Sequence, residues 1–233
     1  MTSPHALPLF LQISEMLNRE IRAGRLVDGE RLPPERDMAK DLGLAVGTLR
    51  KALAELEAQG VLERRQGSGN YIRYDAKDTG IYAFFRLETI TGGGLPTAEL
   101  ISLDTIEKPS DLPPFGTHAR AHRIRRLRYL DGEPAALEEI WLDASYAEEI
   151  TADGLSESLY LFYRTRLGFW INRAEDRVGL GKIPDWAPDR FGLRPGAACG
   201  HVARLSWAQS DAPAEYSQTW FDTGVARYTA RLK

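Results

Sequence analysis

Residues 31–73, RLPPERDMAKDLGLAVGTLRKALAELEAQGVLERRQGSGNYIR, decide the fold of this chain. Pro33-Pro34 lead into a short run, Glu35, Arg36, Met38, Ala39 and Leu42, with the spacing of an amphipathic helix. Proline suits a first helical turn, where its missing N–H would have had no partner. Gly43 ends that helix. A second helix is predicted from about Ala45 to Gln59, with Leu49, Ala52, Leu53 and Leu56 on one face, and Gly60 stops it. Residues 61–65, 66–70 and 71–73 then read as strand, glycine-rich turn and strand. Helix, tight turn, helix and hairpin together make a winged helix-turn-helix.

Upstream, residues 8–23 repeat Phe10, Ile13, Leu17 and Ile21 at intervals of three and four, a helix able to complete a three-helix core. A winged helix-turn-helix places one helix in a DNA major groove. The global charge does not advertise this: the chain of 233 residues carries a net −3, with a pI of about 5.9. Residues 1–73 are net +1 and residues 74–233 net −4, so phosphate contacts must come from local arginine clusters. No run of 18 apolar residues argues for a membrane span. The start, MTSPHALPLF, lacks the basic and apolar regions of a signal peptide. A single cysteine, Cys199, fits a reducing compartment, and the expected location is the cytoplasm.

Beyond a polar linker at 74–80 the pattern moves from a period near 3.6 towards a period of two. Strands are predicted at 82–90, 98–106, 122–130, 135–142, 169–180, 201–209 and 214–221, with helices at 156–168 and 185–193. This is an α+β domain with an antiparallel sheet. The expected organisation is a DNA-binding domain at 1–73, a linker at 74–80 and a second domain at 81–233.

The hairpin around Asp131-Gly132 carries the chemistry of the second half. Alternation puts His122, Ile124, Arg126, Arg128 and Leu130 on one face of one strand, and Ala136, Glu138, Ile140 and Leu142 together on the next. A three-residue loop at 131–133 sets Arg126 opposite Glu138 and Arg128 opposite Ala136, whereas a two-residue turn would rotate Glu138 to the other face. Charges on a face that should be buried need partners. Two readings stand: a structural ion pair between Arg126 and Glu138, or a ligand with an anionic group for the arginines and a hydroxyl or amine for Glu138.

The chain resembles the GntR family of bacterial transcription regulators, specifically its HutC branch. The resemblance is carried by Leu32-Pro33-Pro34-Glu35-Arg36, Leu42-Gly43, Thr48-Leu49-Arg50-Lys51-Ala52-Leu53 and Arg65-Gln66-Gly67-Ser68-Gly69. In the second half, RRLRYLDGEPAALEEIWL, SLYLFYRTRLG and AEYSQTWFDTGVARYTARL resemble the effector-binding (UTRA) domain of that branch, which has a chorismate-lyase-like fold. The resemblance implies a homodimer on a pseudo-palindromic operator in double-stranded DNA, released by a small anionic effector, with no cofactor, no metal and no membrane partner. It implies that Arg36 grips the phosphate backbone, with Arg50 reaching guanine in the major groove and Thr48 touching backbone or base. Lys51, Arg65 and Ser68 belong to the same motifs. The wing tip at Gln66-Gly67 would enter the minor groove.

The start of the recognition helix, Ala45-Val46-Gly47, departs from the polar or basic stretch usual in the family. Val46 cannot donate a hydrogen bond. Contact with a thymine methyl, and so an altered operator, is one reading; packing at the helix start is the other. For the effector, the resemblance favours the ligand reading of Arg126, Arg128 and Glu138, and adds Thr97, Ser158, Tyr160, Glu215 and Phe221. Ser158 would lie near a helix start, a favourable place for an anion. Phosphorylated or sulfonated sugars, or small organic acids, are the expected ligands.

The competing class is an enzyme, since the C-terminal fold type is shared with a lyase acting on chorismate. No catalytic residues can be assigned: the sequence offers no clear nucleophile, metal set or cofactor loop. His118 and His122 lie four apart but in a loop and strand context without an acidic or cysteine cluster, so no metal site is assigned.

Overall fold

The computed structural model describes residues 7–22, 26, 28–73, 84–208 and 212–230. The chain divides into two compact units, one of residues 7–85 with 91–95 and the other of 86–90 with the chain from 96 onward.

In the first unit, α1 (Leu9–Arg22), α2 (Glu35–Asp41) and α3 (Val46–Ala58) are followed by a hairpin of β1 (Leu62–Arg65) and β2 (Gly69–Ile72). The apolar spacings read from the sequence become one core: Ile13, Leu17 and Ile21 of α1 meet Met38, Ala39, Leu49, Ala52, Leu53, Leu56, Leu62 and Ile72, all buried. Full burial of each large aliphatic side chain contributes about 1.5–3 kcal/mol. Gly43, at φ 65°, makes the left-handed turn between α2 and α3 at no steric cost. Arg31 bridges to Tyr71 and so ties the strand hairpin to the segment before α2.

The cap of α3 reflects the unusual start of that helix. Ala45 has the extended backbone of an N-cap, φ −68° and ψ 137°, but no side-chain oxygen to meet the free amides of the first turn. Ala45→Ser should therefore raise the stability of the DNA-binding unit by about 1 kcal/mol, seen as a higher urea midpoint with an unchanged slope. A neutral result would mean that those amides are already satisfied.

In the second unit, β3 (Leu87–Thr89) precedes a six-stranded antiparallel sheet built from β4 (Pro96–Glu107), β5 (Arg120–Leu130), β6 (Glu133–Asp143), β7 (Arg173–Lys182), β8 (Ala198–Trp207) and β9 (Glu215–Phe221). Its order is β4-β5-β6-β9-β8-β7, so β4 and β7 are the edges. A last strand, β10 (Ala226–Tyr228), pairs with β3 in a separate ribbon. The α+β class read from the sequence is what forms.

Several expected elements are shorter. Of the strand predicted at 82–90, only Leu87–Thr89 pairs, and residues 81–83 lie outside the described set. The predicted linker at 74–80 also lies outside it. The helix predicted at 156–168 is a single α-turn, α4 (Leu159–Phe162), widening into a π-type turn over Tyr163–Leu167 and closed by Gly168 in the left-handed region. At 185–193 only a 3-10 turn, Asp189–Phe191, forms. The strand predicted from residue 169 begins at Arg173.

The hairpin between β5 and β6 corrects the loop but keeps the register. Leu130 pairs with Glu133, so the turn is the two residues Asp131-Gly132, both with positive φ (51° and 85°), as a tight hairpin demands. That turn alone would put Glu138 on the wrong face. A β-bulge, with Tyr129 opposite Pro134 and Arg128 opposite Ala136, inserts one residue on β6 and cancels the shift. Arg126 thus faces Glu138, the pairing the three-residue loop was expected to give.

Candidate functional site

In the first unit, α3 presents Gly47, Arg50 and Lys51 to solvent. Arg50 has 62% of its side chain exposed, and its Nε donates to Glu35 Oε2 at 2.7 Å, which fixes the direction of the guanidinium. Glu35 is held below the usual carboxylate range mainly by that bond, against a smaller opposing effect of burial. Arg64 of β1 donates to the Arg50 carbonyl at 3.0 Å, linking wing to helix. Arg65 lies over the Tyr71 ring, 4.2 Å from its centroid, and bonds Glu63. The Ser68 and Tyr71 hydroxyls share a 2.7 Å hydrogen bond. Gln66 and Gly67 stand exposed at the hairpin tip, Gly67 at φ 72°.

Of these, Glu35, Arg64, Arg65, Gln66, Gly67 and Ser68 line a cleft together with Arg31, Pro34 and Asn70, between the start of α2 and the wing. Arg36 is exposed on α2, and Ala45 is exposed ahead of α3. Thr48 is half-buried, its amide bonded to the Ala45 carbonyl. Val46 is half-buried against the core of this unit, which is the packing contact allowed for in the sequence reading. The arrangement gives a helix face and a strand tip with arginines pointing outward, the shape and charge suited to a groove and its phosphates.

In the second unit, one face of the sheet carries a buried polar cluster. The register brings Leu100, Arg126, Glu138, Thr219 and Val202 into one row, and Ala98, Arg128, Ala136, Phe221 and Gly200 into the next. Arg126 holds Glu138 Oε2 with Nε and Nη2 at 3.1 and 2.6 Å, and Arg128 Nε stands 3.6 Å from Oε1. Both guanidinium groups also donate to the Glu157 carbonyl oxygen, at 3.0 and 2.9 Å. Arg128 is only 2% exposed. Burial pushes the Glu138 carboxyl up, but Arg126 and then Arg128 more than offset this and hold it below its ordinary value.

Beside this pair lies a hydroxyl-rich group. Glu215 accepts from Tyr163 at 2.6 Å, Ser206 at 3.1 Å and Tyr160 at 3.2 Å. Burial raises the Glu215 carboxyl above its usual range, and the three hydroxyls only partly counter it. Arg204 pairs bidentately with Asp176 at 2.5 and 2.6 Å, and Tyr228 donates to the same carboxylate at 2.5 Å. Phe221 lies across Gly200, where an added Cβ would stand 2.2 Å from its ring.

The structure therefore brings Arg126, Arg128, Glu138, Tyr160, Glu215 and Phe221 to one face. Ser158 is there too, but its Oγ is occupied as the N-cap of α4, accepting from the Leu161 amide at 3.3 Å. Thr97 is not brought in. It pairs with Tyr129, on the opposite face from Arg128, beside Glu99, which accepts from Tyr129 and Arg190. Sequence reasoning missed the Glu157 carbonyl, Tyr163, Arg204 and Ser206. The strand residues were legible as alternate positions at 204 and 206; the carbonyl left no trace in residue type. His122, fully buried, shares a 2.8 Å bond with the Thr105 hydroxyl and another with the Ala147 carbonyl. Among the described residues no group of three or more His, Cys, Asp or Glu is placed to hold a metal ion.

Comparison with known proteins agrees with both halves. Residues 9–72 match the family model described as bacterial regulatory proteins, gntR family, and residues 92–224 match the UTRA domain. The HTH-type transcriptional regulator SmoD of Agrobacterium fabrum is 61% identical over 228 residues, covering 98% of this chain and 97% of that protein. The mannosyl-D-glycerate transport/metabolism system repressor MngR of Escherichia coli is 27% identical, covering 73% of each chain. In fold, the crystal structure of the possible transcriptional regulator YydK from Bacillus subtilis superposes with a TM-score of 0.55 at 18% identity, covering 97% of this chain and all of that one.

Proposed function

From the premise that this chain belongs to the GntR family of bacterial transcriptional regulators and carries a UTRA effector domain, we propose that it is a cytoplasmic, homodimeric repressor of a transport or catabolic operon, released by a small anionic, sugar-like effector. Its class is that of a DNA-binding, ligand-responsive regulator rather than an enzyme. Among the described residues no helix is long and apolar enough to cross a membrane.

The observation that carries the effector reading is the convergence of Arg126 and Arg128 on Glu138 and the Glu157 carbonyl. A ligand phosphate, sulfonate or carboxylate exchanging with that carbonyl would gain two charge-assisted, fork-shaped donors. Glu138, Glu215, Tyr160 and Tyr163 supply acceptors and donors for ligand hydroxyls, and Phe221 an apolar wall. The name of the relative MngR, a repressor of a mannosyl-D-glycerate system, supports a compound joining a sugar to an acid. The DNA reading assigns Arg36, Arg50, Lys51, Arg65, Gln66, Gly67 and Ser68 to the operator contacts, with Ala45, Val46, Gly47 and Thr48 at the head of the helix. The proposed domain limits are 1–73 and 81–233 with a linker at 74–80, although residues 84–85 and 91–95 group with the first compact unit.

An effector shifts operator affinity only by its differential affinity for two arrangements of the protein. A thermal-shift screen of sugar phosphates, sulfonated sugars and organic acids, joined to gel shifts on the DNA upstream of the operon, identifies it. The expected result is one compound that raises the melting temperature, releases the operator and is recovered unchanged. Arg126→Ala should abolish that release while operator binding in its absence stays intact. Loss of both activities would assign Arg126 to folding, and turnover of the compound would assign the chain to the enzymes.

A further inference from the structure

The sheet of the second unit ends at β7 in an edge unlike those of most monomers. Protein edges are usually blunted by charge, proline or bulges. Here the middle of the edge is Val178-Gly179-Leu180, with Leu180 87% and Val178 54% exposed. The pairing of β7 with β8 is continuous from Arg173 to Lys182 with no register shift.

The hydrogen-bond phase of the strand is set. Ile183 donates its amide to Ala197, and hydrogen-bonded positions alternate along an antiparallel pair. Odd-numbered residues of β7 therefore turn their amides and carbonyls towards β8. Asp176, Val178, Leu180 and Lys182 turn theirs outward.

We propose that β7 joins two copies of this chain, edge to edge and antiparallel, about a two-fold axis at Gly179. The inference rests on the homodimer reading and supplies its interface. An isologous contact requires a self-complementary sequence, and this register provides one. Val178 stands opposite Leu180 of the second copy on one face; Asp176, whose carboxylate Arg204 and Tyr228 already hold, falls opposite Lys182. All four use the outward amides and carbonyls. The residue on the axis occupies a non-hydrogen-bonded pair, where strands approach to about 4.5 Å between Cα atoms, and there the sequence has glycine. Axes at the neighbouring outward positions are worse matched: one at Val178 sets Leu180 against Asp176, and one at Leu180 sets Val178 against Lys182. The product is a continuous twelve-stranded sheet, two six-stranded halves joined.

Cysteine placement reads the register directly. A Cβ at Gly179 meets nothing within 4 Å, so Gly179→Cys should fold normally. Its Cα separation across the axis lies within the range of about 4.4–6.8 Å that a disulfide spans. Under mild oxidation the full-length variant should cross-link into two-chain species. Val178→Cys and Leu180→Cys should not, each facing its own copy only on the diagonal, at about 7–8 Å. The native Cys199 is buried, and the parent protein gives the background. In parallel, Val178→Lys with Leu180→Lys should convert the two-chain mass to a one-chain mass at micromolar concentration by light scattering, with circular dichroism unchanged. Cross-linking at 178 or 180 instead of 179 would overturn this register. A two-chain mass that survives both lysines, with no cross-link at 179, would overturn the β7 interface while leaving the dimer. A one-chain mass for the parent protein would overturn both.

Discussion

Glu138→Ala should cost the second unit about 3–5 kcal/mol, the penalty of stranding a buried cation without its partner. Two guanidinium groups face that carboxylate in a site nearly closed to water, so the loss reflects desolvated charge more than lost packing. Glu138→Gln, which keeps shape and one acceptor, should fall between the alanine variant and the parent. The pH dependence has a definite sign. The carboxyl lies below its ordinary value of 4.5 in the folded protein, so its contribution is fully present above that pH and is lost as pH falls through the lower, folded value. Urea midpoints at neutral pH and below pH 4.5 should therefore converge for parent and Glu138→Ala as the solution is acidified. An alanine variant within about 1 kcal/mol of the parent at neutral pH would remove the argument, since that is the worth of an exposed pair.

Arg50→Ala should be the most damaging change for operator recognition. An arginine fork on guanine discriminates by about 1–3 kcal/mol. In the proposed homodimer the fork is used twice, so the specific affinity should fall by about 2–6 kcal/mol, at least about twenty-five-fold at 1.4 kcal/mol per decade. Binding to unrelated DNA should fall far less, because only one phosphate-range charge per chain is lost. Fluorescence anisotropy on operator and scrambled duplexes at one salt concentration separates the two effects. Glu35→Ala should give a weaker version of the same defect, since Glu35 directs the Arg50 side chain without reaching a base itself. If Arg50→Ala kept its operator preference, base reading would have to be reassigned along α3, to Lys51 or the exposed helix start.

The first unit was legible almost residue by residue because its signals are local. Helix period, proline at Pro34 and glycine at Gly43 each act within a turn or two of the chain. The second unit was legible in its alternation and far less in its helices. The 156–168 segment has helical spacing, yet the chain holds it only from Leu159, because Ser158 caps there and the next turn opens to place Tyr163 on Glu215. Thr97 shows the limit of transferring positions from a family pattern: one step along a strand moves a side chain through the sheet. Val46 shows the reverse, a site position whose apolar character matches its place against the core. The Glu157 carbonyl could not be foreseen, since every residue carries one and only the fold aims it.

The bulge beside the Asp131-Gly132 turn imposes a parity rule on the evolution of this domain. Turn and bulge each shift the strand by one step, and the two shifts cancel, so Glu138 returns to the arginine face. A single inserted or deleted residue between 131 and 137 would reverse every downstream side chain of β6, sending Glu138 through the sheet and bringing Leu137 (insertion) or Glu139 (deletion) opposite Arg126. Two such changes would restore it. Length variation in this hairpin among functional descendants should therefore come in even steps, and an odd step should mark a lineage that has lost the pairing of Arg126 with Glu138.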